Sequence, residues 1–149
     1  MSAAVVRVEP VALMPTQAGC AVFLGDGEKV IVFYVDPSVG ASINMALAND
    51  SAPRPLSHDL FTDSLKAMGA RMMRALIVKV EGEVYFARLF LEAQNEVMER
   101  KIIELDARPS DCIAMSVRCG APLYFLKEIW DTLDDMADVL IKMQADESS

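Results

Sequence analysis

Two short segments of the chain concentrate residue types that handle protons, phosphates or metal ions. The first is Arg54-Pro55-Leu56-Ser57-His58-Asp59-Leu60-Phe61, continuing to Asp63. On a helix, Asp59 and Asp63 lie one turn apart on the same face. Two like charges there cost about 0.2–0.5 kcal/mol unless something cationic compensates. A metal ion or an arginine would do so, and the helix N-terminus partly relieves Asp59. His58 points to a neighbouring face and can act as a base or ligand near neutral pH. The plainer reading is a capped first turn with a solvated acidic face. The second segment holds Asp106, Arg108 and Asp111 at a strand-to-helix junction. Carboxylates can hold Mg²⁺ or Mn²⁺. An arginine can clamp a phosphate bidentately, and a helix N-terminus adds backbone donors suited to an anion. The alternative is an internal salt bridge, with Arg108 holding Asp106 or Asp111 and fixing the turn.

Other reactive residues read as structural. Cys20, Cys112 and Cys119 are too few and scattered for a disulfide framework. Cys112 and Cys119 share one expected helix, about 10 Å apart along its axis and beyond bridging distance. They read as buried small apolar residues rather than nucleophiles. A single histidine excludes a multi-histidine zinc site within one chain. The ten methionines fall on apolar faces and suit gap filling. Arg71, Arg74, Lys79, Arg88, Arg100 and Lys101 lie on three adjacent expected strands. Simple alternation puts Arg74 with Met72 and Leu76, opposite to Lys79, so a salt-bridged face is expected rather than one basic patch. The common phosphate-loop, dinucleotide and hydrolase-elbow signatures are absent.

The elements that must position these residues follow from periodicity. Residues 3–14 read as a strand with an edge or bulge at Pro10. Residues 20–24 and 29–35 form a hairpin around Gly25-Asp26-Gly27, and VIVFYV (30–35), apolar on both faces, reads as a central strand. Asp36-Pro37 starts a helix whose Val39, Ile43 and Leu47 face the core. A helix over roughly 56–68 carries the stripe Leu60, Phe61, Leu65 and Met68 and closes at Gly69. Strands 71–81 and 83–92 meet at Glu81-Gly82-Glu83, and a third strand covers 97–105. Pro109 opens a helix with Asp111 near its third position, ended by Gly120. A short strand to Leu126 follows, then one amphipathic helix from Lys127 to about Lys142, with Asp146 to Ser149 fraying. The expectation is α+β: a largely antiparallel mixed sheet, helices grouped after strands 3 and 6, and a C-terminal helix. Residues 1–130 form the domain, and 131–149 an acidic helical tail.

The chain of 149 residues carries 22 acids against 14 bases, a net −8. Over half of that excess sits in residues 127–149. Charge-driven, non-specific nucleic-acid binding is therefore disfavoured, and phosphate chemistry needs a local basic patch or bound cations. No apolar run reaches the roughly 20 residues of a membrane span, so no membrane partner is expected. No basic-plus-apolar leader opens the chain, which makes the cytoplasm the expected location.

The strings RPLSHDLF (54–61), LKAMGA (65–70), GEVYFARL (82–89) and IELDARPSDCIAMSVRCGAPLYF (103–125) together resemble the bifunctional nuclease domain family. The resemblance covers about residues 3–130 and implies a compact α+β domain, often oligomeric, with nuclease activity on DNA and RNA in some members. Carried across by position, the matching polar residues are Arg54, His58, Asp59, Asp106, Arg108, Asp111 and Arg118. Many members open the first helix with a glycine and then an acid, G-x-x-E-A. This chain has Asp36-Pro37-Ser38-Val39-Gly40, with Val39 in the acid's place and Asp36 three residues earlier.

Two functions are expected from this. One is a metal-assisted nuclease hydrolysing phosphodiester bonds in DNA or RNA. His58, Asp59, Asp106 and Asp111 would be catalytic, and Asp59, Asp106 and Asp111 would hold Mg²⁺ or Mn²⁺ with no organic cofactor. Arg54, Arg108 and Arg118 would contact phosphate. The other is a non-catalytic homo-oligomeric module, dimer or higher. Its Asp/Arg cluster would be a structural ion-pair network, with Leu123, Phe125, Trp130 and the last helix as the self-association surface.

Overall fold

In the computed structural model, residues 4–147 are described. Ala3 of the first expected strand and the expected fraying at Ser148 and Ser149 lie outside them. The strands are β1 (Val5–Thr16), β2 (Gly19–Gly25), β3 (Val30–Val35), β4 (Ala70–Glu81), β5 (Val84–Gln94), β6 (Arg100–Ala107) and β7 (Leu123–Leu126). The helices are α1 (Pro37–Leu47), α2 (Ser57–Ala67), α3 (Pro109–Cys119), α4 (Lys127–Trp130) and α5 (Ala137–Glu147). One mixed sheet runs in the order β3-β2-β1-β7-β4-β5-β6. All neighbours are antiparallel except β4 and β7. This is the expected α+β architecture, with two helices after β3, one after β6 and two after β7, the last of them at the C-terminal end. No helix among the described residues is long and apolar enough to cross a membrane.

Long β1 is shared between two halves of the sheet. Val5–Val8 pair with β7, and Glu9–Thr16 pair with β2. The register shifts between Pro10 and Ala12, so the proline marks a bulge where no ladder donor is needed. The sheet curls until Phe33 of β3 meets Tyr85 of β5, ring centroids 4.7 Å apart. Phe125 and Trp130 continue that aromatic line inside the core. Helix α3 packs against both α1 and α2 and lies over β4 and β5. Cys112, Ile113, Ala114 and Met115 give α3 a buried side.

Several expectations are corrected. VIVFYV forms an edge strand, not a central one. Its two apolar faces are nonetheless both used: Ile31 and Val35 enter the main core, while Val30 and Val32 pack beneath Met136, Leu140 and Met143. The single expected helix over 127–142 is broken into α4 and α5. Lys29 Nζ takes the carbonyls of Trp130 and Leu133, each at 2.6 Å. The backbone N–H of Met136 donates to Val30 O, and Asp135 accepts from Val30 N. The intervening turn thus borders the β3 edge instead of continuing the helix. Leu47, Leu60 and Met68, assigned to buried stripes, are exposed. Leu123, Phe125 and Trp130 are 2%, 0% and 3% exposed, so they build the core and not a self-association surface. Two register shifts in β4, between Met72 and Arg74 and between Ile77 and Lys79, overturn simple alternation. Arg74 opposes Phe90, and Lys79 opposes Phe86. The two bases therefore share a face, each over a phenyl ring.

Packing between α1 and β2 is tight enough to invert a general rule. An alanine inside a helix normally outperforms glycine by about 1 kcal/mol. At Gly40 an added Cβ would stand 2.6 Å from Cys20 Cβ. Gly40→Ala is expected to destabilise the fold by about 1–3 kcal/mol in denaturant unfolding. An equally or more stable variant would contradict this packing.

Candidate functional site

Three helices begin at one cleft. At α1 the Asp36 carboxylate accepts from Val39 N at 2.9 Å, and Pro37 occupies the first turn. At α2, Leu56 precedes Ser57 and His58, and Leu56 N donates to Asp59 Oδ2 at 3.0 Å. At α3, Arg108 is the N-cap with extended backbone, Pro109 follows, and Asp111 lies in the first turn. The cleft between these ends has a volume of about 280 Å³ and is lined by Asp36, Ser42, Ser57, His58, Arg108 and Asp111, among others. Helix N-termini concentrate backbone donors and partial positive charge there.

His58 is fixed from both sides. Its Nδ1 lies 2.7 Å from Ser42 Oγ on α1, and its Nε2 lies 3.0 Å from Asp111 Oδ1 on α3. Burial pushes the Asp111 carboxyl up, but hydrogen bonds from Arg108 and His58 outweigh it and hold it below the ordinary carboxylate range. Asp111 is thus an ionised, acceptor-only group at neutral pH, which places a proton on His58 Nε2. Ser42 can donate to Nδ1 of the neutral ring or accept from it when the ring is protonated. The chain Ser42–His58–Asp111 therefore accommodates both protonation states without moving. Arg108 reaches Asp111 through Nε at 2.9 Å and Nη2 at 3.4 Å. Its side chain is 66% exposed and open to a phosphate at the cleft mouth.

The remaining candidates lie elsewhere. Asp59 faces a second cleft of about 320 Å³, lined also by Asp50, Ser51, Asp63 and Arg118. Arg118 Nε holds Asp59 Oδ1 at 2.8 Å, with the arginine side chain only 8% exposed. Arginine is thus the cation that the Asp59 and Asp63 spacing called for. The hydrogen bond from Arg118, then that from Leu56 N, holds the Asp59 carboxyl below its ordinary value. Arg118 Nη1 is buried with no hydrogen-bond partner. Asp106 lies on β6, paired with Arg88, which also reaches Glu104. Arg54 is exposed on the linker before α2 and lines neither cleft.

The residues fit a proton-handling and phosphate-contacting site better than a ready-made metal centre. Asp59, Asp106 and Asp111 are each engaged by a different arginine. No group of three His, Cys, Asp or Glu side chains among the described residues is gathered for an ion. Cys112 is fully buried, and burial pushes its thiol up to about 12, which suits an inert core residue. Sequence reasoning missed Ser42. Its signal was a hydroxyl on the α1 face that carries Val39 and Ile43. Asp36 was read as a cap, and it also borders the cleft.

The chain belongs to the bifunctional nuclease domain family, whose sequence profile matches residues 22–136. An uncharacterized protein of Mycobacterium tuberculosis is 27% identical over 124 residues, covering 83% of this chain and 68% of that protein. Bifunctional nuclease 1 of Arabidopsis thaliana is 32% identical over 78 residues, covering 52% of this chain and 23% of its own length. Bifunctional nuclease 1 of Oryza sativa subsp. indica is 30% identical over 99 residues, covering 66% and 29%. The chain thus matches only about a quarter of each plant protein's length.

Two measurements check this geometry. Removing the Asp59 carboxylate strands a buried guanidinium, so Asp59→Ala is expected to cost about 3 kcal/mol. Asp59→Ala with Arg118→Met should recover most of that loss. Arg108→Ala, at an exposed pair, should cost about 1 kcal/mol or less. Acid is the second probe. Asp59 and Asp111 titrate lower in the folded chain than in the unfolded one. Their contribution is present above about pH 4 and is lost as pH falls further, because the unfolded chain takes up protons first. Asp111→Asn should flatten the acid limb of a stability–pH curve, and an unchanged limb would contradict the assignment.

Proposed function

We propose that the chain hydrolyses phosphodiester bonds of nucleic acid at the cleft where α1, α2 and α3 begin. The observation that carries this reading is His58, held between Ser42 and Asp111 in that cleft beside the exposed Arg108. With both ring nitrogens engaged, His58 moves a proton through Ser42: the Ser42 hydroxyl, which lines the cleft, takes a proton from an attacking water as it passes its own to His58 Nδ1, and the reverse relay delivers one to a departing sugar oxygen. Asp111 orients the ring and stabilises its charged form. Arg108 and the first-turn backbone N–H groups meet the non-bridging phosphate oxygens, where negative charge grows during displacement. Membership in a family whose plant relatives are named nucleases supports the reading. Three unpaired cysteines suit work in a reducing compartment such as the cytoplasm.

A structural reading rests on the same triad, because Ser42, His58 and Asp111 tie three helices together and Ser42 is 3% exposed. Activity and stability separate the two. Single-stranded RNA and DNA are offered to purified protein with Mg²⁺ or Mn²⁺, and with chelator to expose any ion dependence. His58→Ala is expected to lower turnover by about 100-fold or more, and Arg108→Ala to weaken it while leaving the melting temperature nearly unchanged. Full cleavage by both folded variants would assign the activity to a contaminant and leave His58 as a structural clasp.

A further inference from the structure

Another cavity lies at the opposite end of α2 and α3 from the His58 cleft. It has a volume of about 230 Å³ and is bounded by the last turns of both helices and the first residues of β4. Its polar lining is Thr62 and Lys66 from α2, Arg71 from β4, and Arg118 and Cys119 from α3. Three cations line it, and no carboxylate does among the described residues. In a chain of net −8, that runs against the prevailing charge.

Pairing within the chain does not use this charge up. Arg118 donates through Nε to Asp59, whose other oxygen accepts from Leu56 N. Nη1 of the same guanidinium is buried without a partner. A buried donor left unsatisfied is costly, and more so on a charged group. Arg71 reaches Glu92 at 2.9 Å, but Arg100 reaches the same carboxylate at 3.5 Å. Lys66 has no ion pair among the described residues. Arg71, Arg100, Arg118 and Lys66 therefore have only Glu92 and Asp59 between them. The plain explanation of Lys66 and Arg118 is that each lies in the last turn of its helix, where a cation offsets the macrodipole. That accounts neither for Arg71, which belongs to a strand, nor for the unpartnered Nη1.

We propose that this pocket binds a phosphate group. Cations converge on it from three elements, so its ligand needs acceptors on several sides. A tetrahedral phosphate offers them, whereas a carboxylate presents two oxygens in one plane. The guanidiniums of Arg71 and Arg118 match phosphate oxygens in pairs, and Lys66 adds a point charge. Lys66 lies eight positions after His58, about 12 Å along α2. The phosphate held here is therefore not the one that Arg108 meets: it belongs to another part of a bound strand or to a free ligand. The site does not rest on the nuclease reading, since its test uses no cleavage.

Cys119, in the pocket wall, reports occupancy. Cys20→Ser removes the other half-buried thiol, and Cys112 is buried and inert. With inorganic phosphate at about ten times its dissociation constant, only about a tenth of the pockets stay free, so alkylation of Cys119 by iodoacetamide should slow about 10-fold. Chloride at equal ionic strength should not slow it. Lys66→Ala with Arg71→Ala, both at exposed positions, should abolish the protection. Phosphate should also raise the melting temperature of the native chain and leave that of the double variant unchanged. Two further probes find the source. Protection by a single-stranded oligonucleotide at far lower concentration than by 5′-AMP assigns a strand's backbone, and equal protection assigns a free phosphate. Alkylation or melting indifferent to phosphate, or protection that survives in the double variant, would overturn the proposal.

Discussion

The imidazole of His58 is the point on which the site is assembled. Its two nitrogens engage Ser42 of α1 and Asp111 of α3 from its own place on α2, so one ring registers three helices. The contact matters because it lies at helix beginnings. Unsatisfied backbone donors of three first turns are brought within one cleft, and two carboxylates, Asp36 and Asp111, partly neutralise their field. Arg108 balances Asp111 and keeps the cleft from becoming wholly acidic. An ionised Asp111 also settles which nitrogen of His58 carries the proton. Structure and chemistry thus share one constraint: the ring cannot turn without unmaking the junction of all three helices.

Arginines divide the remaining carboxylates. Arg118 is buried beside Asp59, Arg88 lies between Glu104 and Asp106 on the sheet, and Arg108 is exposed at the cleft. Burial decides their roles. A guanidinium that is almost wholly enclosed, with one nitrogen unpartnered, holds the linker and α2 in place at an energetic cost. One that is two-thirds exposed contributes little to stability and is available to a ligand. Sequence position does not separate these cases, since all three arginines lie on or beside the same strand-and-helix block.

Much of the local structure was legible from residue order. Asp36-Pro37 and Arg108-Pro109 start helices because proline suits the first turn, and Gly120 ends one at φ 65°. Glu81-Gly82-Glu83 turns because Gly82 adopts φ 63°. Long-range features were not legible. The bulges of β4 change which side of the sheet Lys79 occupies, and no periodicity announces them. The break before α5 depends on Lys29 capturing Trp130 O and Leu133 O, about a hundred positions away in the chain. Within the site, the pairing of His58 with Asp111 spans 53 positions. The residue types suggested that pairing, but only the packing of α2 on α3 creates it. Asp59 and Asp106 belonged to the same sequence clusters, yet strand pairing and Leu56 direct them elsewhere.

His58 is the only histidine in the chain, so its ring nitrogens are directly observable by nitrogen NMR. The account predicts a single neutral tautomer with the proton on Nε2 and an acceptor Nδ1, and resonances that shift when a single-stranded oligonucleotide is added. A ring averaging between tautomers, or one protonated on Nδ1 and indifferent to the oligonucleotide, would contradict it.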